Sequence, residues 1–198
     1  MVESRTIKVL AALLVSMSAG TILLVVLETR PTPLEAPTAA IRQTPPTSFE
    51  HLDALIAETR LAVQPMRWNS IIVHAGPAGG ARARQCHFLI RPARGDRPAE
   101  AIATDLWKDQ AEGRHVGPHS RGWNAFANSL GVCLIGDFSG TPPPPEQFSL
   151  LVELVRRLQT ACGDIPASRV YPYSEIDSRS NSPGRAFPTE AFDQYLRP

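Results

Sequence analysis

The stretch that decides the fold is GRHVGPHSRGWNAFANSLGVCLIGDF, residues 113–138, where a polar loop runs directly into an apolar segment. Every residue from Leu130 to Ile135 is apolar or glycine. Continuous apolarity over the length of a strand predicts a strand that is covered on both faces, in the middle of a sheet. Polar loops held by a rigid element often form binding sites. The polar and aromatic loop residues are Arg114, His115, His119, Arg121, Trp123, Asn124 and Asn128.

Strand and helix patterns alternate on both sides of this stretch. Runs rich in β-branched and apolar residues predict strands at Asn69 to His74, Cys86 to Arg91, within Ala101 to Trp107, and at Arg169 to Tyr171. Capping residues, prolines and helical spacing predict helices from Thr47, after Pro142 to Pro145, and over Thr189 to Leu196. The pattern predicts an α/β domain with a mixed central β-sheet flanked by helices.

Length and charge narrow the range of functions. A chain of 198 residues that is 43% hydrophobic suits one globular domain with attachments. Its 20 basic and 19 acidic residues give a net charge of +1, so the chain has no basic field for a nucleic-acid partner.

The N-terminal segment predicts a membrane anchor. Val9 to Leu27 carries no charge and approaches the roughly 20 residues that a bilayer span requires. Arg5 and Lys8 precede it, which favours a cytoplasmic N-terminus over residues 1–8. A signal peptide cut near Ser18 is the alternative, although it would leave an apolar new terminus. We expect one transmembrane helix in the cell membrane, a proline-rich linker over 28–48, and a domain over 49–198 outside the cytoplasm, on the periplasmic face.

The three cysteines leave their pairing open. Cys133 falls in the predicted buried strand, where a small apolar core residue is expected. Cys86 and Cys162 form a possible bridge, but nothing in the sequence places them together.

Several motifs together resemble the type 2 N-acetylmuramoyl-L-alanine amidases and the related peptidoglycan recognition proteins. The central block is Gly113-Arg114-His115-Val116-Gly117, then Trp123-Asn124, then NSLGVCLIG from Asn128 to Gly136. The flanking pieces IIVH, CHFLI and SPGRAFP follow in the family's order. The resemblance covers roughly Phe49 to Leu196 and implies the family's mixed α/β fold.

The resemblance implies a zinc amidase in which most site positions are substituted. The family hydrolyses the amide between N-acetylmuramic acid and L-alanine with a zinc ion held by two histidines and a cysteine or aspartate. His74 matches the first ligand, whereas the other two positions hold Tyr173 and Ser182. A catalytic tyrosine and lysine are replaced by Cys86 and Ser180, with Arg179 as a candidate substitute for the lysine charge. We therefore expect no bound zinc.

Two functional hypotheses follow, and a structural envelope protein with an empty groove is a third. The first is a membrane-tethered module that binds peptidoglycan or muropeptide through Arg114, His115, Trp123 and Asn124. The second is an active amidase with substituted ligands. Without zinc, Glu175 alone could offer only general-base help. Solvent exposure is the competing interpretation for His115 and His119. His87, inside a strand, is expected to be a hydrogen-bonded core histidine.

Overall fold

The computed structural model describes residues 47–64, 67–117 and 126–197. The predicted membrane helix, residues 28–46 of the predicted linker and the loop residues His119, Arg121, Trp123 and Asn124 lie outside those ranges. The last two residues assigned to the linker, Thr47 and Ser48, instead begin the first helix. Within them, every helix is too short or too polar to cross a membrane.

The described residues form one five-stranded sheet, with the order β3-β2-β4-β1-β5. All neighbouring strands are parallel except β2 and β3, which are antiparallel, so the sheet is mixed as predicted. Strand β4 lies between β1 and β2, and all its residues are buried, which confirms its predicted position in mid-sheet. The strands are β1 Ser70–Gly76, β2 Phe88–Arg91, β3 Glu100–Ala103, β4 Ser129–Ile135 and β5 Val170–Pro172.

Helices flank the sheet. Helix α4 begins on a proline, a residue suited to the first turn, and α6 has the predicted bounds. Three further helices of four residues each connect or follow strands. The helices are α1 Thr47–Ala57, α2 Ala81–Arg84, α3 Asp105–Lys108, α4 Pro145–Ala161, α5 Tyr173–Ile176 and α6 Thr189–Leu196.

One face of the sheet carries the main hydrophobic core. Side chains alternate between the faces of a strand, so Ile71 and Val73 of β1 share this face with alternate residues of β4. Helix α1 contributes Leu52, α4 contributes Leu151, and α6 contributes Phe192 to the same cluster. The apolar residues recur at helical spacing because this spacing places them on the side of each helix that packs into the core.

The second face carries the polar residues of interest. The register of β1 and β4 places Ile72 beside Gly131 and His74 beside Cys133. Helix α2 covers part of this face through Ala83, which packs in a cluster with Cys133. Helix α5 covers another part through two side chains that pack on Ile72, those of Tyr173 and Ile176.

The cysteines divide between the two faces. Cys86 and Cys133 belong to the cluster on the second face, whereas Cys162 lies in the main core. A Cys86–Cys162 bridge is therefore wrong, and all three thiols are free. The core role predicted for Cys133 is confirmed, since its side chain is fully buried. Burial raises the pKa of the Cys162 thiol to about 12, which keeps it protonated.

Candidate functional site

The three positions that the resemblance matches to zinc ligands lie close together around β1. His74 is fully buried, and its ring centroid lies 4.6 Å from that of Tyr173. The backbone N–H of Ala75 donates a hydrogen bond of 2.9 Å to the Ser182 hydroxyl. The fold thus brings these three positions together near one end of β1.

Local chain geometry brings the second and third positions to β1. Tyr173 opens α5 directly after β5, the strand paired with β1. The backbone N–H of Ser174 donates a 2.7 Å hydrogen bond to the Ser182 carbonyl oxygen, which fixes the following turn. Gly184 in this turn has φ +132°, and a Cβ there would lie 2.4 Å from the Phe138 carbonyl oxygen. Glycine is therefore required for the turn to pack against the end of β4.

The histidines at the site have defined tautomers. His115 Nε2 lies 3.1 Å from the Ser129 carbonyl oxygen, which can only accept, so Nε2 carries the proton. His115 Nδ1 must then accept from His74 Nε2, 3.1 Å away. The remaining nitrogen, His74 Nδ1, is an unprotonated acceptor, buried and without a hydrogen-bond partner among the described residues.

His115 is buried, so solvent exposure, one of its two predicted interpretations, is wrong. Its side chain is 1% exposed, because it packs on the second face of the sheet beside His74. In this position its ring is shielded from solvent and hydrogen-bonds to His74. His87 is a satisfied core histidine, as expected: its Nε2 donates to the Ala111 carbonyl oxygen, and its Nδ1 accepts from the N–H of Gly131.

Burial keeps these three histidines neutral. It lowers the pKa of His87 to about 3, with a further lowering from the charge of His115. It lowers the pKa of His115 to about 4, with a smaller contribution from the Arg82 charge. The pKa of His74 is lowered well below its usual value by burial first, and then by His115 and Arg82. The lone pair of His74 Nδ1 is therefore available at neutral pH.

Arg82 is a site residue that sequence reasoning missed. This half-buried side chain projects from α2, and its Nη1 donates a 2.7 Å hydrogen bond to the His115 carbonyl oxygen. Its Cζ atom lies 4.5 Å from the centroid of the Tyr173 ring, within the range of a cation–π contact. Nothing in the sequence distinguishes Arg82 from Arg84, because most arginines lie on surfaces.

The side chains at the three ligand positions do not fit a zinc ion. The Tyr173 hydroxyl donates to Asp177 at 3.1 Å, and the Ser182 hydroxyl is held by the backbone of Ala75. A hydroxyl that already takes part in such hydrogen bonds is a poor zinc ligand, and a catalytic zinc normally takes three protein ligands such as imidazole, thiolate or carboxylate. Among the residues that the structure describes, no group of three His, Cys, Asp or Glu is placed to hold a metal ion.

The remaining predicted catalytic positions have other partners. Arg179 hydrogen-bonds both carboxylate oxygens of Asp177, and this contact lowers the Asp177 pKa to about 2. The Arg179 charge is thus paired. Glu175 is exposed on α5, and its pKa is raised by partial desolvation and by the charge of Asp193 on α6. Ser180 accepts a hydrogen bond from the backbone N–H of Ser182.

A groove of about 690 Å³ opens at the carboxyl ends of β1 and β4. This is the edge at which ligands bind in many sheets with parallel strands. The Ser139 hydroxyl and N–H lower the pKa of Asp137, so this wall of the groove is anionic. Arg114 is exposed on the segment before β4. Sequence reasoning identified only Ser182 among the polar lining residues, which are Arg94, Asp137, Ser139, Asn181 and Ser182.

Two solved structures have a similar fold. AmpDh3 from Pseudomonas aeruginosa, in complex with anhydromuramic pentapeptide, is 18% identical with a TM-score of 0.53, over 68% of this chain and 62% of that chain. AmiD from E. coli, in complex with the substrate anhydro-N-acetylmuramic acid-L-Ala-D-gamma-Glu-L-Lys, is 19% identical with a TM-score of 0.51, over 69% and 60%. This chain thus matches about three fifths of each.

The family assignment comes from the sequence as a whole. No significant match is found among curated protein sequences. The family model for N-acetylmuramoyl-L-alanine amidase matches residues 24–185, which is most of the chain. The chain therefore belongs to the N-acetylmuramoyl-L-alanine amidase family.

Proposed function

We propose that the protein is a membrane-tethered module that binds peptidoglycan or muropeptide and does not cleave it. The observation that carries this proposal is the site around β1, where the family's ligand positions are assembled but hold His74, Tyr173 and Ser182. Without zinc, water keeps a pKa near 15.7 and the scissile carbonyl is not polarised. The scaffold is retained while the groups that would generate a nucleophile are replaced.

The proposed ligand is a sugar–peptide fragment of the cell wall. The two similar structures hold muropeptides, which supports this ligand class for the groove. Such ligands present hydroxyls, amides and carboxylates, to which Arg114 and Asn124 offer hydrogen-bonding groups. Trp123 offers an apolar face for a sugar ring. In this proposal His115 supports the site from behind His74.

Pull-down on insoluble peptidoglycan tests the binding function. We expect Trp123→Ala with Asn124→Ala to reduce retention at least fivefold, because the variant loses both the apolar face and the amide. Arg156→Ala, an exposed change on α4, is the control and should be retained like the wild type. Equal retention of the folded double variant and the wild type would count against this binding site.

The alternative is an active amidase with substituted metal ligands. The unpaired lone pair of His74 Nδ1 is the observation that favours it, since one ligand position is intact. Metal analysis and an assay for release of the muramoyl-linked peptide, both on the purified full chain, separate the two proposals. We expect neither stoichiometric zinc nor turnover. Tightly bound zinc, with activity abolished by His74→Ala, would establish the enzyme.

We also propose that Val9 to Leu27 anchors the chain in the cell membrane with the domain on the periplasmic side. The absence of charge in this segment, and the basic residues Arg5 and Lys8 before it, support this topology. A reporter fused after Pro198 tests it. Activity of a reporter that works only in the cytoplasm would refute the proposed orientation.

A further inference from the structure

We infer that Arg82 is the fixed cation of this site, in the electrostatic place of the family's metal. In the ligand half of this inference, its guanidinium binds an acyl oxygen of the ligand. In the metal half, its charge disfavours binding of a divalent ion. The acyl oxygen belongs to an amide carbonyl or a carboxylate. The ligand half of this inference rests on the proposed binding function, whereas the metal half does not.

The position of the guanidinium supports the inference. It stacks on the Tyr173 ring, which stands at one ligand position of the family, with 4.5 Å between Cζ and the ring centroid. It also holds the His115 carbonyl oxygen at 2.7 Å, and the His115 ring bonds to His74 at a second ligand position. Arg82 thus contacts one of the three positions directly and a second through one intermediate residue.

Helix α2 fixes this arginine on the sheet. The helix follows a turn closed by a 3.0 Å hydrogen bond from the Gly80 N–H to the Pro77 carbonyl oxygen. The neighbouring Ala83 is 2% exposed and packs against Cys133 of β4. Arg82 is half-buried, in contrast to the exposed Arg84 on the same helix. Its charge is therefore partly desolvated and held in one place.

The donor and acceptor chemistry indicates the kind of ligand. A guanidinium stays charged in proteins and has five N–H groups, of which the described residues give one a hydrogen-bond partner, the His115 carbonyl. The others suit oxygen acceptors, including two-oxygen contacts with a carboxylate. The buried acceptor His74 Nδ1 is a second observation that indicates a ligand, since no residue in the described part of the chain donates to it. A peptide amide supplies both an oxygen for Arg82 and an N–H for His74.

The same charge opposes metal binding. A permanent positive charge beside the ligand positions repels Zn²⁺, and the repulsion is strong where burial reduces the effective dielectric constant. Restoring the family ligands with Tyr173→His and Ser182→Cys should therefore give only weak zinc binding as long as Arg82 remains.

Zinc titration of four full-chain variants tests the metal half. The first two are the wild type and Arg82→Ala. The third, called ligand-restored, carries Tyr173→His with Ser182→Cys, and the fourth, the triple variant, adds Arg82→Ala to these two substitutions. We expect the triple variant to bind zinc at least tenfold more tightly than the ligand-restored one, with folding checked by circular dichroism. Arg84→Ala in the ligand-restored background is the matched control and should give no gain. The metal half would be overturned if the ligand-restored and triple variants bound zinc equally tightly, or if neither bound it. The same gain in affinity from Arg84→Ala would also overturn it.

Muropeptide titration tests the ligand half. The probes are a soluble muropeptide with a free terminal carboxylate and the same molecule amidated at that carboxylate. We expect Arg82→Gln to weaken binding at least tenfold, Arg82→Lys to keep part of it, and Arg84→Gln to change nothing. A loss with both probes assigns the contact to an amide carbonyl, and a loss with the acid alone assigns it to the carboxylate. Unchanged binding in Arg82→Gln would overturn the ligand half. If the wild type binds neither probe, the proposed function fails, while the zinc titration still decides the metal half.

Discussion

At the scale of single residues, Gly131 makes room for the buried histidines. A Cβ at this position would lie 2.8 Å from the His115 ring and 3.1 Å from Cys86 Sγ, so a side chain there would displace both. The Gly131 N–H also donates to His87 Nδ1 at 2.9 Å. Glycine inside a strand often marks a close approach of another group, and here that group is an imidazole.

Gly131→Ala should therefore lower the free energy of unfolding by about 1–3 kcal/mol, the usual cost of overpacking a core. It should also move His115 away from His74, since backbone hydrogen bonds hold β4 in place. Urea denaturation measures the first effect. Gly140→Ala is the control, because an added Cβ there meets nothing within 4 Å, and its effect should stay within about 0.5 kcal/mol. Equal stabilities of the two variants would contradict this account.

At the scale of elements, the longer helices and the strands were predictable, whereas the four-residue helices were not. Apolar spacing and a proline start identified α4, and α6 has the predicted bounds. Helices α2, α3 and α5 have four residues each, too few for a helical period to be visible in the sequence. Strand β2 begins at Phe88, two residues after the predicted start at Cys86.

The lengths of the elements that carry the site residues also explain which of these residues could be predicted. His74 was identified through the resemblance of the IIVH segment, and the clear pattern of its strand placed it near the strand's end. Arg82 was not, because its helix is short and its role depends on a contact with Tyr173, far along the chain. The burial of His115 depends on the missing side chain of Gly131 across the sheet, and a local sequence pattern does not report such a non-local fit.

The contact between α4 and the sheet gives a prediction at this scale. Gln147 is fully buried, and its Nε2 donates to the carbonyl oxygens of Ile90 and Ile135, the latter the last residue of β4. Gln147→Leu keeps the volume but leaves both carbonyls without this donor. We expect a loss of about 1–3 kcal/mol in unfolding free energy, offset in part because Gln147 Oε1 has no donor among the residues that the structure describes.

Chemical denaturation of Gln147→Leu measures this loss. The control is Gln194→Leu, the same change at an exposed position on α6, which should shift stability by less than about 0.5 kcal/mol. A Gln147→Leu variant as stable as the wild type would show that these two bonds contribute nothing net.

At the scale of the whole domain, one face of the sheet is packed with apolar side chains and the other carries a polar site. The first face buries the large apolar cluster that supplies most of the hydrophobic stabilisation. The second face carries buried imidazoles and a half-buried arginine, which contribute little of that kind and cost desolvation. The stability from the first face therefore allows the second face to keep a polar site. The buried histidines of that site make the stability of the whole domain depend on pH.

The domain should lose stability as the pH falls from 6.5 toward 4. The folded-state pKa values of His87 and His115, about 3 and about 4, lie below the value near 6.5 expected in the unfolded chain. The unfolded state therefore binds more protons in this window, so each histidine stabilises the fold fully above pH 6.5 and loses that contribution as the pH falls. Each loss amounts to about 1 kcal/mol between pH 6 and pH 5. Asp177, with a pKa of about 2, acts only below pH 4.

Urea denaturation at pH 7.5, 6 and 5 measures this effect. His87 and His115 together should contribute a fall of about 2 kcal/mol between the last two conditions, and His74, whose pKa is also lowered, adds to it. His87→Gln removes one of the titrating groups while it keeps an amide donor for the Ala111 carbonyl oxygen, so the fall should shrink by about 1 kcal/mol whatever the variant's own stability. A stability that stays constant or rises from pH 6 to pH 5 would mean that these imidazoles are protonated in the folded domain, contrary to the tautomers assigned to the histidine chain.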